Sequence, residues 1–109
     1  MISTHVLDAA RGIPAMRVPV QLDMFITGHG WREVGHGVTN ADGDILSFGE
    51  QGSAGVYRLM FDVAAALPDA FFPSVTLTFE IRDVHEHYHI PLVLSPFGYS
   101  TYRDSPSAV

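Results

Sequence analysis

Short runs of alternating apolar and polar residues, each ended by a turn sequence, are the feature that most constrains the fold of this chain. In residues 16–27 apolar side chains alternate with others, and Gly28-His29-Gly30 follows as a tight turn. The return segment, residues 31–39, is ended by Asn40-Ala41-Asp42-Gly43, which is a strong turn sequence. A period of two is typical of strands that have one face in a core and the other in solvent.

The rest of the chain divides in the same way, and eight short strands are predicted. They cover residues 4–9, 16–27, 31–39, 45–48, 56–63, 75–81, 88–95 and 99–103. Their spacing of roughly 8–12 residues predicts an all-β sandwich. We expect one short helix over residues 62–67, because Ala64-Ala65-Ala66 favours helix, Asp62 suits the N-cap position and Pro68 ends the segment.

The length and composition indicate one globular domain. A chain of 109 residues can build a two-layer core without disulfides or a metal. A hydrophobic content of 47% with 17% charged residues argues against disorder. We expect the domain to cover residues 1–105 and a loose tail to cover residues 106–109. The chain has no cysteine, which excludes a disulfide framework and a thiolate nucleophile and fits a reducing compartment.

The charge pattern excludes some classes of partner. The net charge is −6, and the six basic residues, all arginines, are scattered singly. A nucleic-acid-binding protein needs a concentrated basic face, and none is visible. The N-terminus lacks the charged leader and apolar core of a signal peptide, and no apolar stretch approaches the ~20 residues of a membrane helix. We therefore predict a cytoplasmic protein that binds neither nucleic acid nor membrane.

Three histidines near the C-terminus form a spaced set. His85, His87 and His89 would all project from one face if the strand at residues 88–95 extended far enough. His-x-His on a strand is a known route to zinc, and His5 could add a ligand, but no carboxylate evidently completes the set. We therefore predict no metal, and we expect His85 and His87 to be solvated at the entrance of the strand.

Two long segments at opposite ends of the chain, with two shorter ones between them, form a recognisable set of motifs. The N-terminal segment begins Ser3-Thr4-His5-Val6-Leu7-Asp8 and continues to Gly12 and Pro14-Ala15. The C-terminal segment begins Tyr88-His89-Ile90-Pro91-Leu92 and ends Tyr102-Arg103-Asp104-Ser105. Between them lie Thr39-Asn40-Ala41-Asp42-Gly43 and Phe71-Phe72-Pro73. Together these motifs resemble the transthyretin-related 5-hydroxyisourate hydrolases, which typically end in Tyr-Arg-Gly-Ser, and the resemblance covers nearly the whole chain.

This resemblance implies a fold, an assembly and a reaction. The fold is a transthyretin-like (prealbumin-like) sandwich of two four-stranded sheets with one short helix. The assembly is a homotetramer, a dimer of dimers, with active sites at the interface between dimers. The reaction is hydrolysis of 5-hydroxyisourate, an oxidation product of urate, by opening of its six-membered ring at an amide carbonyl. The resemblance implies no metal and no organic cofactor.

The resemblance also assigns catalytic residues. His5 and His89 occupy the positions of the family's two catalytic histidines, and Ser105 corresponds to the serine that closes the family's last motif. Histidine suits this chemistry because its ordinary pKa of ~6.5 lets it exchange protons near neutral pH. One imidazole would deprotonate the attacking water, and the other, with Ser105, would orient the substrate or manage protons. The sequence leaves open which histidine is the base.

The chain departs from the family at three places. Where the family has the arginine that holds the anionic substrate, directly after Asp-Gly, this chain has Asp44. This reverses the charge and replaces a fork of hydrogen-bond donors by a group that only accepts. Asp104 stands where the family has glycine, and four residues follow Ser105. We place Asp44, Tyr102 and Arg103 in the substrate-binding site, where Arg103 could supply the missing positive charge.

Three functional hypotheses follow from these residues. The first is hydrolysis of 5-hydroxyisourate. The second is an enzyme of the same fold that acts on a neutral or cationic cyclic amide, imine or lactone, with Asp44 orienting an imidazole as in other His–Asp pairs. The third is a transthyretin-like binding protein without catalysis. Turnover that depends on His5 and His89 would distinguish the first two from the third.

Overall fold

Two β-sheets that share one apolar core make up most of residues 1–104, the part of the chain that the computed structural model describes. The strands of this part are β1 (Ile2–Asp8), β2 (Ile13–Pro14), β3 (Pro19–Ile26), β4 (Gly30–Val38), β5 (Asp44–Ile45), β6 (Gly55–Asp62), β7 (Ser74–Ile81), β8 (Tyr88–Ser95) and β9 (Gly98–Thr101). The first sheet has the order β2-β1-β8-β9, with β5 also paired to β1, and the second has the order β4-β3-β6-β7. The predicted all-β sandwich is confirmed.

The two predicted sheets are present, with one strand more than the eight predicted. The described residues contain nine strands, and the first sheet has five of them. The additional strand is β2, which forms because the chain turns back after β1. At the end of this turn the Gly12 N–H donates to the Asp8 carbonyl at 2.8 Å, and Gly12 has a φ of 70°, a conformation that glycine adopts without strain. The returning chain then pairs with the end of β1.

Several predicted strand boundaries also shift. The strand predicted over residues 16–27 begins only at Pro19, because Arg17 has a φ of 66° and interrupts the extended backbone. The strand predicted over residues 45–48 is instead Asp44–Ile45. Phe48 is nevertheless buried, and its N–H donates to the carbonyl of Ile2. The predicted tail over residues 106–109 lies outside the described residues.

The short helix is close to its prediction. The helix α1 spans Val63–Ala66, and the carboxylate of Asp62 accepts a hydrogen bond from the Ala65 N–H at 3.3 Å. Asp62 is therefore the N-cap, as predicted. Within residues 1–104 no helix is long and apolar enough to cross a membrane.

The alternation of buried residues explains where the candidate site lies. Ile2, Thr4 and Val6 of β1 are fully buried in the core. Because successive side chains of a strand point to opposite faces, Ser3 and His5 lie on the other face of the first sheet. β1 therefore contributes one side to the core and the other to a surface on which two neighbouring strands can add side chains.

The buried position of Leu59 in β6 makes the stability of the sandwich testable. This strand pairs with β3 on one side and β7 on the other, and Leu59 is 0% exposed. Leu59→Ala should lower the free energy of unfolding by about 2–5 kcal/mol, because it removes buried methylene groups and leaves a cavity. The matched control is Leu46→Ala, at a side chain that is 70% exposed, which should change the free energy of unfolding by less than about 0.5 kcal/mol. Urea titrations would measure both variants. Equal losses of unfolding free energy in the two would contradict this description of the core.

Candidate active site

The imidazole of His5 is hydrogen-bonded to the carboxylate of Asp44. In the antiparallel pair of β1 with β5 these two residues lie directly opposite each other, so that their side chains share one face of the sheet. The distance from His5 Nδ1 to Asp44 Oδ1 is 2.8 Å. The structure thus gives the residue at the family's arginine position a direct contact with the first histidine.

A tight turn holds Asp44 in this position. The side-chain oxygen of Asn40 accepts hydrogen bonds from the N–H groups of Asp42 and Asp44, and the carbonyl of Gly43 accepts one from Val6 of β1 at 2.8 Å. Gly43 has a φ of 79°, and a Cβ atom there would lie 2.6 Å from the Val6 carbonyl oxygen and 3.3 Å from His5 Cε1. Glycine is therefore required for the turn to approach β1 and the imidazole so closely.

The contact with Asp44 determines which nitrogen of His5 carries a proton. A carboxylate only accepts hydrogen bonds, so the proton of this contact belongs to His5 Nδ1. In the neutral imidazole Nε2 is then left with its lone pair. The side chains of His5 and Asp44 are 32% and 29% exposed, and a reactant in solvent can therefore reach them. In its neutral form His5 can accept a hydrogen bond or a proton at Nε2.

The second histidine approaches the same face from β8. The parallel pair of β1 with β8 places His89 beside Ser3. The Oγ atom of Ser3 lies 2.7 Å from His89 Nδ1 and also 2.7 Å from His87 Nε2. Ser3 itself is only 4% exposed. One buried hydroxyl thus connects two imidazole rings.

The prediction that His87 is solvated is wrong, whereas His85 is exposed as predicted. His87 is half-buried and precedes β8, so the strand period did not define the direction of its side chain. The sequence analysis assigned no role to Ser3 and considered His87 only as a zinc ligand, so neither was predicted as a partner of His89. The available signal was that Ser3 shares a strand face with His5, two residues further along β1.

The surroundings of His89 lower its pKa below the ordinary value of 6.5. Burial of the ring is the largest cause, and the nearby His87 and His5 act in the same direction. The carboxylates of Asp104 and Asp44 act in the opposite direction and raise the pKa. His89 is therefore neutral near pH 7. His5 and Asp44 both act electrostatically on His89, so His5 and His89 lie in one electrostatic environment.

The other predicted site residues lie apart from the imidazoles or outside the described residues. Arg103 donates to Glu86 Oε2 at 2.9 Å, and its guanidinium lies 4.4 Å from the centre of the Tyr88 ring. Tyr88 is buried in the core and alternates with His89 along β8, so Arg103 is on the other side of the sheet. Tyr102 and Arg103 line a cavity of about 290 Å³ beside β7. Ser105 lies outside the described residues.

Asp104 approaches His89 through the backbone. Its N–H donates to the His89 carbonyl at 3.0 Å and forms an isolated bridge beside β8. This contact explains why the carboxylate at the position of the family's glycine acts on the second histidine.

Within residues 1–104 no group of three or more His, Cys, Asp or Glu side chains is arranged to hold a metal ion.

Comparisons with known proteins point to one family. A family model described as the HIUase/Transthyretin family matches residues 2–104. A 5-hydroxyisourate hydrolase of Deinococcus radiodurans is 46% identical, with 95% of each chain covered. The uric acid degradation bifunctional protein TTL of Arabidopsis thaliana is 40% identical over 95% of this chain, which spans only 37% of that protein's length. The solved structure of sea bream transthyretin in complex with thyroxine superposes with a TM-score of 0.88 at 33% identity, covering 99% of this chain and 98% of that one.

The charges around His89 lead to a prediction about its titration. Asp104→Asn should lower the pKa of His89 further, because it removes the carboxylate that most strongly raises it. The matched substitution Asp69→Asn, on an exposed loop after α1, should leave the pKa unchanged. Imidazole ¹H–¹⁵N spectra recorded against pH would measure both shifts. A higher pKa of His89 in the Asp104→Asn variant would show that the described position of Asp104 is wrong.

The lowered pKa of His89 also determines the direction in which the free energy of unfolding changes with pH. Below about pH 6.5 the unfolded chain binds a proton at His89 more readily than the folded chain does. The contribution of His89 to stability is therefore present at neutral pH and is lost as the pH falls through the ordinary histidine pKa towards the lower folded value.

Proposed function

Because the chain belongs to the HIUase/Transthyretin family, we propose that it is a hydrolase of 5-hydroxyisourate in urate degradation. The names of the Deinococcus and Arabidopsis relatives support the substrate and the pathway. The observation that carries the proposal is the pairing of His5 with Asp44 on the face that also holds His89. A binding site for an apolar ligand would have no need of one imidazole held as a base beside a second one kept neutral.

In the proposed reaction His5 is the base. Its Nε2 atom takes a proton from a water molecule as the water oxygen bonds to an amide carbonyl carbon of the substrate ring. The ring C–N bond then breaks, the leaving nitrogen gains a proton, and the carbonyl carbon becomes that of a carboxylic acid. Neutral His89 would donate a hydrogen bond to the carbonyl oxygen, and the proton that the leaving nitrogen gains would come from protonated His5.

Asp44 contributes to catalysis in this proposal. Its carboxylate keeps the His5 proton on Nδ1 and stabilises the imidazolium that forms when Nε2 accepts a proton. The carboxylate of Asp44 is hydrogen-bonded to His5. This contact partly neutralises its negative charge, so that Asp44 repels an anionic substrate less. Action on a neutral or cationic cyclic substrate, and ligand binding without catalysis, are the alternatives that the experiments below distinguish.

The assembly and the remaining site residues are part of the same proposal. We place the active site between dimers of a homotetramer, since His5 and His89 lie on an open sheet face that a second subunit can cover. Ser105 would assist proton transfer, and Tyr102 and Arg103 would bind substrate from a rearranged C-terminal segment. A cytoplasmic location is compatible with the absence of cysteine.

Single histidine substitutions test the reaction. With 5-hydroxyisourate generated by urate oxidase, the protein should accelerate its decay above the background rate. His5→Ala and His89→Ala should each reduce kcat about 10²-fold to 10⁴-fold, the usual contribution of a positioned acid or base. His29→Ala, in the exposed turn between β3 and β4, is the matched control and should retain full activity. Decay at the background rate with the native protein would refute the proposed function.

Substitutions of Asp44 test its role separately. In Asp44→Asn the side-chain amide can donate to His5 Nδ1, which moves the imidazole proton to Nε2 and abolishes the base. We expect kcat to fall about 10²-fold to 10⁴-fold, while Asp42→Asn in the same turn changes little. Asp44→Arg should also be inactive. A gain of 5-hydroxyisourate hydrolysis in Asp44→Arg would instead support an enzyme adapted to another cyclic substrate.

A further inference from the structure

We propose that Ser3 and His87 are positioning residues that hold the proton of neutral His89 on its Nε2 atom, which makes His89 the hydrogen-bond donor that complements the base His5. The effect on catalysis rests on the function proposed above. The position of the proton does not, because it follows from the hydrogen bonds among these three side chains.

The geometry leaves two possible arrangements. A serine hydroxyl has one proton to donate, and Ser3 Oγ contacts an imidazole nitrogen at 2.7 Å on each side. Ser3 is only 4% exposed and its hydroxyl makes no other hydrogen bond within residues 1–104. Accepting from both rings would therefore leave the hydroxyl proton buried and unpaired, which is costly. If Ser3 donates to His89, then His87 must donate to Ser3. If Ser3 donates to His87, then His89 must donate to Ser3 from Nδ1.

The first arrangement is favoured by the chemistry of the rings. It places the protons of both neutral histidines on Nε2, and this is the tautomer that an isolated histidine side chain prefers. The second arrangement would require the less favourable Nδ1–H tautomer in both rings at once. When His87 is protonated, both of its nitrogens are donors, and only the first arrangement is possible.

The groups around His89 are compatible with this arrangement. The charged or titratable groups that act on the ring are Asp104, His87, Asp44 and His5. Nδ1 of His89 is already taken by Ser3, so Nε2 is the nitrogen that remains to face a substrate. With its proton there, His89 donates where His5 accepts. The contact of Asp44 and the contact of Ser3 therefore set opposite roles for the two imidazoles.

The direct test is the tautomer of His89 in the native protein. Imidazole ¹H–¹⁵N correlation spectra at a pH above the His89 titration should show a protonated Nε2 and an unprotonated Nδ1. In His87→Leu the donor to Ser3 is lost, and the two nitrogen shifts of His89 should move towards an average of both tautomers. His85→Ala, at the exposed histidine two residues earlier, is the matched control and should leave the shifts unchanged.

Kinetics should follow the same pattern. Removing the partner that orients a metal-bound histidine typically costs about tenfold to a hundredfold in activity, and we take the same order of magnitude for an oriented histidine here. We expect His87→Leu and Ser3→Ala to lose that much in kcat with KM unchanged, and Ser3→Thr, which keeps the hydroxyl, to recover most of it. An unchanged backbone ¹H–¹⁵N spectrum would show that the variants are folded.

The spectra separate this inference from the proposed reaction. A proton on His89 Nδ1 in the native protein, or unchanged His89 shifts in folded His87→Leu, would overturn the inference whatever the activity. The native protein could instead show the expected tautomer, and His87→Leu the expected change in the His89 nitrogen shifts, without any hydrolysis of 5-hydroxyisourate. That result would support the inference and refute the proposed function.

Discussion

The parallel pairing of β1 with β8 is the contact on which the candidate site depends. It joins segments from opposite ends of the chain and places Ser3 beside His89. The other edge of β1 pairs with β5, which places His5 beside Asp44. A shift of either pairing by one residue would turn one of these side chains to the opposite face. The buried residues of β1, Ile2, Thr4 and Val6, oppose such a shift because they would leave the core.

The two histidines of the site have different hydrogen-bond partners, and this difference gives them different chemistry. A carboxylate that only accepts sets the proton of His5, whereas a hydroxyl that both donates and accepts contacts His89. Burial favours the neutral form of His89. Two residues of the same type, with the same intrinsic pKa, can therefore act as a proton acceptor and as a neutral hydrogen-bond donor on one sheet face.

The replacement of the family's arginine by Asp44 has a local explanation in this structure. The carboxylate contacts His5 from a turn held by Asn40 and Gly43. Asp44 thus orients the imidazole of His5. Arg103, the expected source of a compensating positive charge, contacts Glu86 and Tyr88 instead.

The sequence by itself determined the all-β fold, most of its strands and the two principal histidines. The period of two in β6 puts Tyr57, Leu59 and Phe61 on one face, which is the buried one, and the Asp62 cap depends only on adjacent residues. The family motifs identified His5 and His89. Only the tertiary structure decided the contacts of Asp44, Ser3, His87 and Arg103. These contacts depend on strand register and on side-chain direction outside strands, both of which are set by residues distant in the chain.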